Sequence, residues 1–415
     1  MGETMNTSQP RPSDTGGATT SGLRRTITLP MLVFYGLGVT VGAGIFALVG
    51  EIVDISGSAA PWAFLAAGVV AGVTALCYGQ LIARHPRAGG EAVYATVGLG
   101  RSAGFVAGLG VVVTGTISSA AIAVAFAGYV NDLVSVPDAL VIIALIGTLA
   151  GIAAWGVRES VIFAAVITVL EVGTLLVVIV FGTDRLGAFG DAIEAVGDGV
   201  SPILAGAVVA FFAFVGFEDI ANMAEETVDP TRTGPKAIVI TLVVTILVYV
   251  VLATIAVSVV DRAALVESDA PMSFLFEAVT GADGGAISAI AVIAMVNGVL
   301  VQLVMASRVL YGMSREGLLP ARLAETHPVR QTPVRATALV AGVVVFLALF
   351  FPLVGLAKAT SIVTFVVFTI VDLSLVMIIR RERPDAPWTK WALVGVLGAL
   401  LATGLGLWEI GGMLT

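Results

Sequence analysis

Long apolar runs alternate with short polar segments along the chain, and this pattern predicts eleven membrane-spanning helices. A helix needs about 20 apolar residues to cross roughly 30 Å of hydrocarbon, and each run has about that length. The shortest separation between runs, around Phe351 and Pro352, lies between the ninth and the tenth. The runs begin near Pro30, Ala59, Gly104, Ala139, Ser160, Pro202, Ala237, Ala286, Ala336, Gly355 and Trp391. The predicted fold class is therefore an all-α membrane protein.

Two of the predicted spans are interrupted. The first span, residues 30–53, contains five glycines, and the sixth, residues 202–222, contains Gly216 followed by Glu218 and Asp219. An interrupted helix is tolerated in hydrocarbon only where protein or a water-filled cavity covers the freed backbone groups. Interruptions at corresponding positions of two halves point to a solute site at mid-depth, between the halves of an inverted repeat.

Each interruption also has a plainer interpretation. Glycines in a membrane helix are typical of close helix packing. If the sixth span ends near Phe217, Glu218 and Asp219 lie at the cytoplasmic interface. A carboxylate inside the membrane costs about 2.5 to 3.5 kcal/mol unless it faces a cavity or is neutralised. The pairing of the two interruptions favours an internal cavity. Asp372 of the tenth span is a further intramembrane acid, and the sequence assigns it no role.

Five spans in each half turn the second half upside down relative to the first. The predicted organisation is a disordered cytoplasmic tail (1–26), a first five-helix repeat (27–182), a second, inverted repeat (200–380) and an additional helix (390–415). With a cytoplasmic N-terminus, 18 lysines and arginines lie inside and 3 outside, namely Arg185, Arg262 and Lys358. This asymmetry predicts a multi-pass protein of the plasma membrane with an extracellular C-terminus.

Outside the seventh span, residues 268–279 form either an interfacial helix over the entrance or a plain loop.

The composition excludes several classes of protein. With 58% apolar and 12% charged residues, the chain is an integral membrane protein. The single cysteine, Cys77, gives no basis for a disulfide or a cysteine-ligated metal, and we expect neither a cofactor nor a nucleic-acid partner. An intramembrane hydrolase needs a nucleophile with a positioned base. Ser118 and Ser119 are available, but no histidine lies in a predicted span, so we do not expect an enzyme.

Four segments of the chain match a known family in order and spacing. The chain resembles the amino acid, polyamine and organocation transporters, which have the fold of the bacterial leucine transporter. The similarity extends over nearly all spans. The segments that carry it are G-L-G-V-T-V-G-A-G-I-F (36–46), A-L-C-Y-G-Q-L-I-A-R-H-P-R-A-G-G-E-A-V-Y (75–94), F-F-A-F-V-G-F-E-D-I-A-N-M-A-E-E-T-V-D-P-T-R-T-G-P-K-A-I (211–238) and A-S-R-V-L-Y-G-M-S-R-E-G-L-L-P (306–320).

The resemblance implies a substrate site built mainly from the backbone of the two interruptions. Amides of Ala43 and Gly44 would hold an α-carboxylate, while carbonyls of Thr40, Phe212 and Val215 would receive the α-amino group. A helix N-terminus attracts an anion and a helix C-terminus a cation, so a zwitterion suits this arrangement. The side chain of Phe212 is either an aromatic gate or ordinary packing. The candidate substrate-binding residues are Thr40, Gly42, Ala43, Gly44, Ile45, Phe212, Val215 and Gln302.

The chain differs from many members of the family at one position, where the resemblance implies a residue that couples transport to an ion. Many relatives carry a lysine on the fifth span, counted from an E-S pair. Here the pair is Glu159 and Ser160, and the position twelve beyond Glu159 is Glu171. An acid cannot imitate a bound cation, although it can take up a proton, bind sodium or form a hydrogen bond to a neighbouring helix. Glu218 is therefore the preferred proton-linked group, with Asp219 and Glu171 as alternatives.

These observations together predict a secondary active transporter that works by alternating access. The apolar residues around the interruptions favour neutral amino acids as substrates. The expected coupling ion is H⁺, with Na⁺ as the alternative. Two other functions stay open: a polyamine or organic-cation transporter or exchanger on the same fold, and a sensor that binds a solute without transporting it. The sequence assigns no oligomeric state.

Overall fold

The structure is a computed structural model that describes most of the predicted membrane region. The predicted tail, apart from its last two residues, lies outside the described residues, as do Arg185 and the Glu159–Ser160 pair. The described residues are 25–86, 89–156, 161–183, 186, 189–194, 197, 199–259, 262–384 and 387–414.

Throughout the described residues the fold is helical, which confirms the all-α prediction. Eight helical segments are long and apolar enough to cross a membrane, and three shorter apolar helices account for the remaining predicted spans. The α-helices are α1 (Leu29–Val41), α2 (Ala43–Ser56), α3 (Ala60–Arg84), α4 (Gly90–Leu99), α5 (Arg101–Leu133), α6 (Asp138–Trp155), α7 (Val161–Gly182), α8 (Phe189–Glu194), α9 (Ser201–Phe212), α10 (Pro230–Val259), α11 (Arg262–Glu267), α12 (Pro271–Thr280), α13 (Gly285–Arg315), α14 (Val334–Phe350), α15 (Leu353–Glu382) and α16 (Lys390–Leu414). The 3-10 helices are Gly57–Ala59, Phe217–Glu226 and Ala321–Ala324.

Helices from the two predicted halves pack against each other in a reciprocal pattern. The second span, α3, packs along the seventh, α10, and the third, α5, packs along the eighth, α13. The first span contacts the seventh through α1 and α10, while the sixth contacts the second through α9 and α3. These contacts surround the two interrupted spans with protein. The boundaries and inverted orientation of the halves stay predictions.

On the predicted extracellular side, α12 is folded into the bundle. Of the two expectations for residues 268–279, the plain loop is wrong, because Pro271–Thr280 form a helix, and the interfacial position of this helix over the entrance stays a prediction. Met272 and Leu275 are fully buried, so this helix packs inward. The Tyr129 hydroxyl of α5 donates a hydrogen bond to the Phe46 carbonyl at 2.8 Å and accepts one from the Met272 N–H at 3.1 Å. A single side chain therefore links α12 to the outer half of the first span.

Asp372, to which the sequence assigns no role, joins three helices. Its Oδ2 accepts a hydrogen bond from the Thr74 hydroxyl at 2.9 Å, which connects α15 to α3. Gly398 of α16 packs directly against the same carboxyl group. The arrangement makes Asp372 a packing centre between the second, tenth and eleventh spans.

The last helix, α16, is also held to α15 by a partly buried ion pair. Lys358 Nζ lies 2.8 Å from Glu409 Oε1, and the Glu409 side chain is only 5% exposed. A carboxylate with so little access to water depends on its partner, because a buried charge left unpaired is strongly unfavourable.

We expect Lys358→Met to lower the free energy of unfolding by about 3 kcal/mol, because it leaves the Glu409 charge buried without a partner. The double variant Lys358→Met/Glu409→Met should recover most of that loss. The measurement is the midpoint of thermal unfolding of the purified protein in detergent. The control is Arg335→Met, since Arg335 pairs with Glu325 where both side chains are more than half exposed, and such pairs contribute about 0 to 1 kcal/mol. Equal effects of the two single variants would contradict the prediction.

Candidate functional site

The first span is broken at a single residue. Helix α1 ends at Val41 and α2 begins at Ala43, with Gly42 between them. The first N–H groups of an α-helix have no acceptor within the helix, and no side chain caps the N-terminus of α2. The start of α2 therefore presents unpaired donors and the positive end of a helix dipole in the interior of the bundle.

The second break is longer and lies in the sixth span. Helix α9 ends at Phe212, residues 213–216 form a turn, and the span continues as the 3-10 helix Phe217–Glu226. Gly216 has φ +125°, a conformation that favours glycine. Its N–H donates a hydrogen bond to Glu218 Oε2 at 2.8 Å, so the carboxylate caps the new helical segment. Glu218 is thus attached to the break itself.

The two breaks are packed directly against each other. A Cβ on Gly44 would lie 2.7 Å from the Cα of Ala213 in the second break. A Cβ on Gly216 would lie 2.8 Å from the Val39 carbonyl oxygen near the end of α1. Both distances are too short for a side chain, so glycine permits the close approach of the two backbones. For Gly44, the sequence suggests close packing as one reason for glycine, and the structure identifies the backbone of Ala213 as the partner.

Tyr249 of α10 connects the two breaks and is a residue that sequence reasoning missed. Its hydroxyl oxygen lies 3.0 Å from the Thr40 carbonyl oxygen and 3.0 Å from the Ala213 carbonyl oxygen. The side chain is fully buried. The sequence could have pointed to this residue, because Tyr249 is the one tyrosine in the predicted seventh span.

Most of the predicted substrate-binding residues line one cavity between the breaks, which we call the central cavity. Glu171 of α7, Ser118 of α5 and Asn297 of α13 also face it. Ile45 does not line the cavity; it is fully buried in the first turn of α2. The predicted residues that do line it are Thr40, Gly42, Ala43, Gly44, Phe212, Val215 and Gln302. The structure thus brings together residues from spans one, three, five, six and eight.

Two of the three carbonyls expected to receive an amino group already have partners in the protein. The Thr40 carbonyl lies within hydrogen-bond distance of the Tyr249 hydroxyl, and the Phe212 carbonyl accepts the Val215 N–H at 3.2 Å. A carbonyl oxygen has two lone pairs, so a second bond remains available. Both carbonyls are nevertheless weaker acceptors for a ligand than two unoccupied carbonyls would be.

Three buried polar atoms of the central cavity have no hydrogen-bond partner among the described residues. They are Thr40 Oγ1, Glu171 Oε2 and Gln302 Oε1. An unpaired buried polar atom costs roughly 1 to 3 kcal/mol. Residues from three different helices therefore have unused capacity for hydrogen bonds to a polar ligand at one place.

A second cavity, which we call the acidic cavity, adjoins the first. It is lined by Glu91, Glu218 and Asp219, and it shares Val215 and Gln302 with the central cavity. Asp219 is only 6% exposed. The carboxylates of the sixth span thus face an internal cavity and not an exposed surface, while their depth in the membrane stays a prediction.

Glu91 of α4 is another residue that the sequence did not nominate. Its Oε1 accepts a hydrogen bond from the Tyr78 hydroxyl of α3 at 3.0 Å. Glu91 lies within the 75–94 segment that carries the family resemblance, and this was the available signal. It adds a third carboxyl group to the acidic cavity.

We expect Tyr249→Phe to destabilise the protein by about 1 to 3 kcal/mol, because it removes the buried donor that lies between the two breaks. The readout is the thermal unfolding midpoint in detergent. The matched control is Tyr94→Phe, since Tyr94 is also fully buried but its hydroxyl has no hydrogen-bond partner among the described residues. A fall in both variants, or in neither, would show that the Tyr249 hydroxyl does not hold the breaks together.

The chain is similar in sequence to known membrane transporters. The family model described as amino acid permease matches residues 27–409. Cationic amino acid transporter 2, vacuolar, of Arabidopsis thaliana is 30% identical over 88% of this chain and 61% of its own length. The chain therefore spans about three fifths of that plant relative. Two Bacillus subtilis proteins are each 28% identical: the methylthioribose transporter over 93% of this chain and 88% of its own, and the branched-chain amino acid permease BcaP over 89% and 84%.

Proposed function

Because the chain belongs to the amino acid permease family, we propose that it is a secondary active transporter of amino acids. It carries neutral, apolar amino acids across the plasma membrane by alternating access and couples their movement to protons. Its N-terminus is cytoplasmic and its C-terminus extracellular. The protein is a permease and not an enzyme.

The observation that carries this proposal is the meeting of two helix breaks at the central cavity. The start of α2 offers unpaired N–H groups and a positive dipole end, which suit a carboxylate. The end of α1 offers carbonyl groups and a negative dipole end, which suit an ammonium group. A small zwitterion is complementary to both at once. Sites of this kind lie near the membrane midplane in transporters with interrupted helices.

The remaining lining of the central cavity supports a small apolar side chain. Ile122, Phe212 and Val301 face it together with Ala294. One relative is described as a branched-chain amino acid permease, which fits this lining. A cationic solute is the second candidate, because Glu171 lines the same cavity and another relative is described as a cationic amino acid transporter.

Glu218 is the proposed proton-linked group. Its carboxylate accepts the Gly216 N–H at the second break and lines the acidic cavity next to the proposed substrate site. Protonation would remove the negative charge that holds this N–H and would weaken the bond, since bonds to charged acceptors are the stronger ones. Proton uptake would thereby act on the backbone of the break. Asp219 and Glu171 are the alternative groups, and Na⁺ is the alternative ion.

We expect Gly44→Leu to abolish amino acid uptake into proteoliposomes, because its side chain would strike Ala213 and separate the breaks. The control is Gly147→Leu in α6, where a Cβ meets no atom within 4 Å. Both variants should insert and reconstitute in comparable amounts. Unchanged uptake by Gly44→Leu would reject the backbone site. Wild-type protein that binds an amino acid but never accumulates it would favour the sensor.

The coupling ion is tested by driving uptake with a proton gradient and, separately, with a sodium gradient. We expect the proton gradient alone to drive accumulation in the wild type. Glu218→Gln, which resembles a permanently protonated Glu218, should lose gradient-driven accumulation but keep exchange between the two sides. Glu316→Gln, at the exposed end of α13, serves as the control. Accumulation driven only by sodium would overturn the assignment of the proton.

A further inference from the structure

The position of Glu171 beside the break of the first span is not explained by its proposed role as an alternative proton carrier. The residue lies on α7, is only 1% exposed and lines the central cavity. Its Oε1 is 3.6 Å from the position that a Cβ on Gly42 would occupy, so the carboxyl group lies beside the break of the first span. Its Oε2 has no hydrogen-bond partner among the described residues.

The electrostatic surroundings of Glu171 contain no formal positive charge from the described part of the chain. The group lies beside Gly42, between the C-terminal end of α1, which carries partial negative charge, and the N-terminus of α2, which carries partial positive charge. Among the described residues that line the central and acidic cavities, none is a lysine, arginine or histidine. An unpaired charge in the membrane interior is expensive. The site therefore needs a proton or a cation to balance it.

The Oε2 of Glu171 has no partner in the described part of the chain and is an acceptor that a cation from outside the chain can use. A carboxyl group that is protonated for structural reasons donates its proton to a neighbouring acceptor. The structure provides no such bond for Oε2 among the described residues. An ammonium group has three donors, and Thr40 Oγ1 and Gln302 Oε1, whose residues line the same cavity, are acceptors without partners among the described residues.

We propose that the Glu171 carboxylate binds the ammonium group of the transported amino acid, with Thr40 Oγ1 and Gln302 Oε1 as further acceptors. This inference rests on the proposed function and assigns to that site a charged side chain as its amino-group ligand. The substrate's carboxylate then points to the N-terminus of α2, and its ammonium group points to Glu171. The chain thus selects solutes that carry a protonated amine.

If the bond between Glu171 and the ammonium group exists, binding affinity should fall when either group is replaced. We replace Glu171 by Gln and, in the ligand, the amino group by a hydroxyl group. The ligand is first identified by thermal shift of the wild-type protein with each common L-amino acid, and its 2-hydroxy analogue is the matched probe. We expect the wild type to prefer the amino acid, and the preference to fall about 10-fold to 100-fold in Glu171→Gln, as expected for a hydrogen bond between charged groups.

The ratio of the two affinities separates recognition from a structural role. If Glu171→Gln leaves the preference for the amino acid unchanged, even when it weakens the binding of both ligands, Glu171 does not contact the ammonium group and the inference is wrong. Glu171→Asp, which keeps the charge on a shorter side chain, should retain part of the preference. Glu316→Gln should retain all of it, because that side chain is exposed and lies outside both cavities.

The cation bound by Glu171 could instead be sodium, and a separate measurement tests this alternative. If NaCl stabilises the wild type relative to choline chloride without any amino acid, and Glu171→Gln removes only this effect, the site binds sodium and the inference is overturned. If the wild type binds amino acids but Glu171 changes nothing, the proposed function stands and only the inference fails. If no amino acid binds the wild type, the proposed function itself is rejected, together with the ammonium site.

Discussion

The structure depends on how backbone groups are satisfied where helices stop inside a membrane. Hydrocarbon offers no hydrogen bonds, so an interrupted span survives only when other protein groups cover its ends. Here the two interruptions cover each other: Gly44 packs on Ala213, and Gly216 packs on the Val39 carbonyl. The packing of α3 on α10 and of α5 on α13 holds this contact inside the bundle.

The spans and their interruptions could be predicted because their signals are local. Apolar runs mark the helices, and Gly42 and Gly216 lie within the two interruptions. The role of Tyr249 could not be predicted, since its hydroxyl contacts Thr40, which is 209 positions away in sequence. Hydropathy does not give the rotation of one helix against another. For the same reason the sequence did not place Glu91 beside Glu218.

The two cavities are separated by very little protein. Val215 belongs to the second break and lines both, and Gln302 reaches both from α13. A movement of the second break therefore changes the shape of the central and the acidic cavity together. The acids of the chain also divide into distinct structural settings: Asp372 and Glu409 hold helices to one another, whereas Glu171, Glu218 and Asp219 face internal space.

The Tyr249 hydroxyl has one proton for two equidistant carbonyl acceptors. Rotation about its C–O bond transfers the hydrogen bond from the first break to the second without leaving the donor unused. The number of hydrogen bonds is then the same at both ends of the rotation. If the distance from this hydroxyl to one carbonyl lengthened, the proton would still have an acceptor at the other break. The side chain of Tyr249 can therefore keep a hydrogen bond to one break without requiring that both breaks stay at a fixed distance from it.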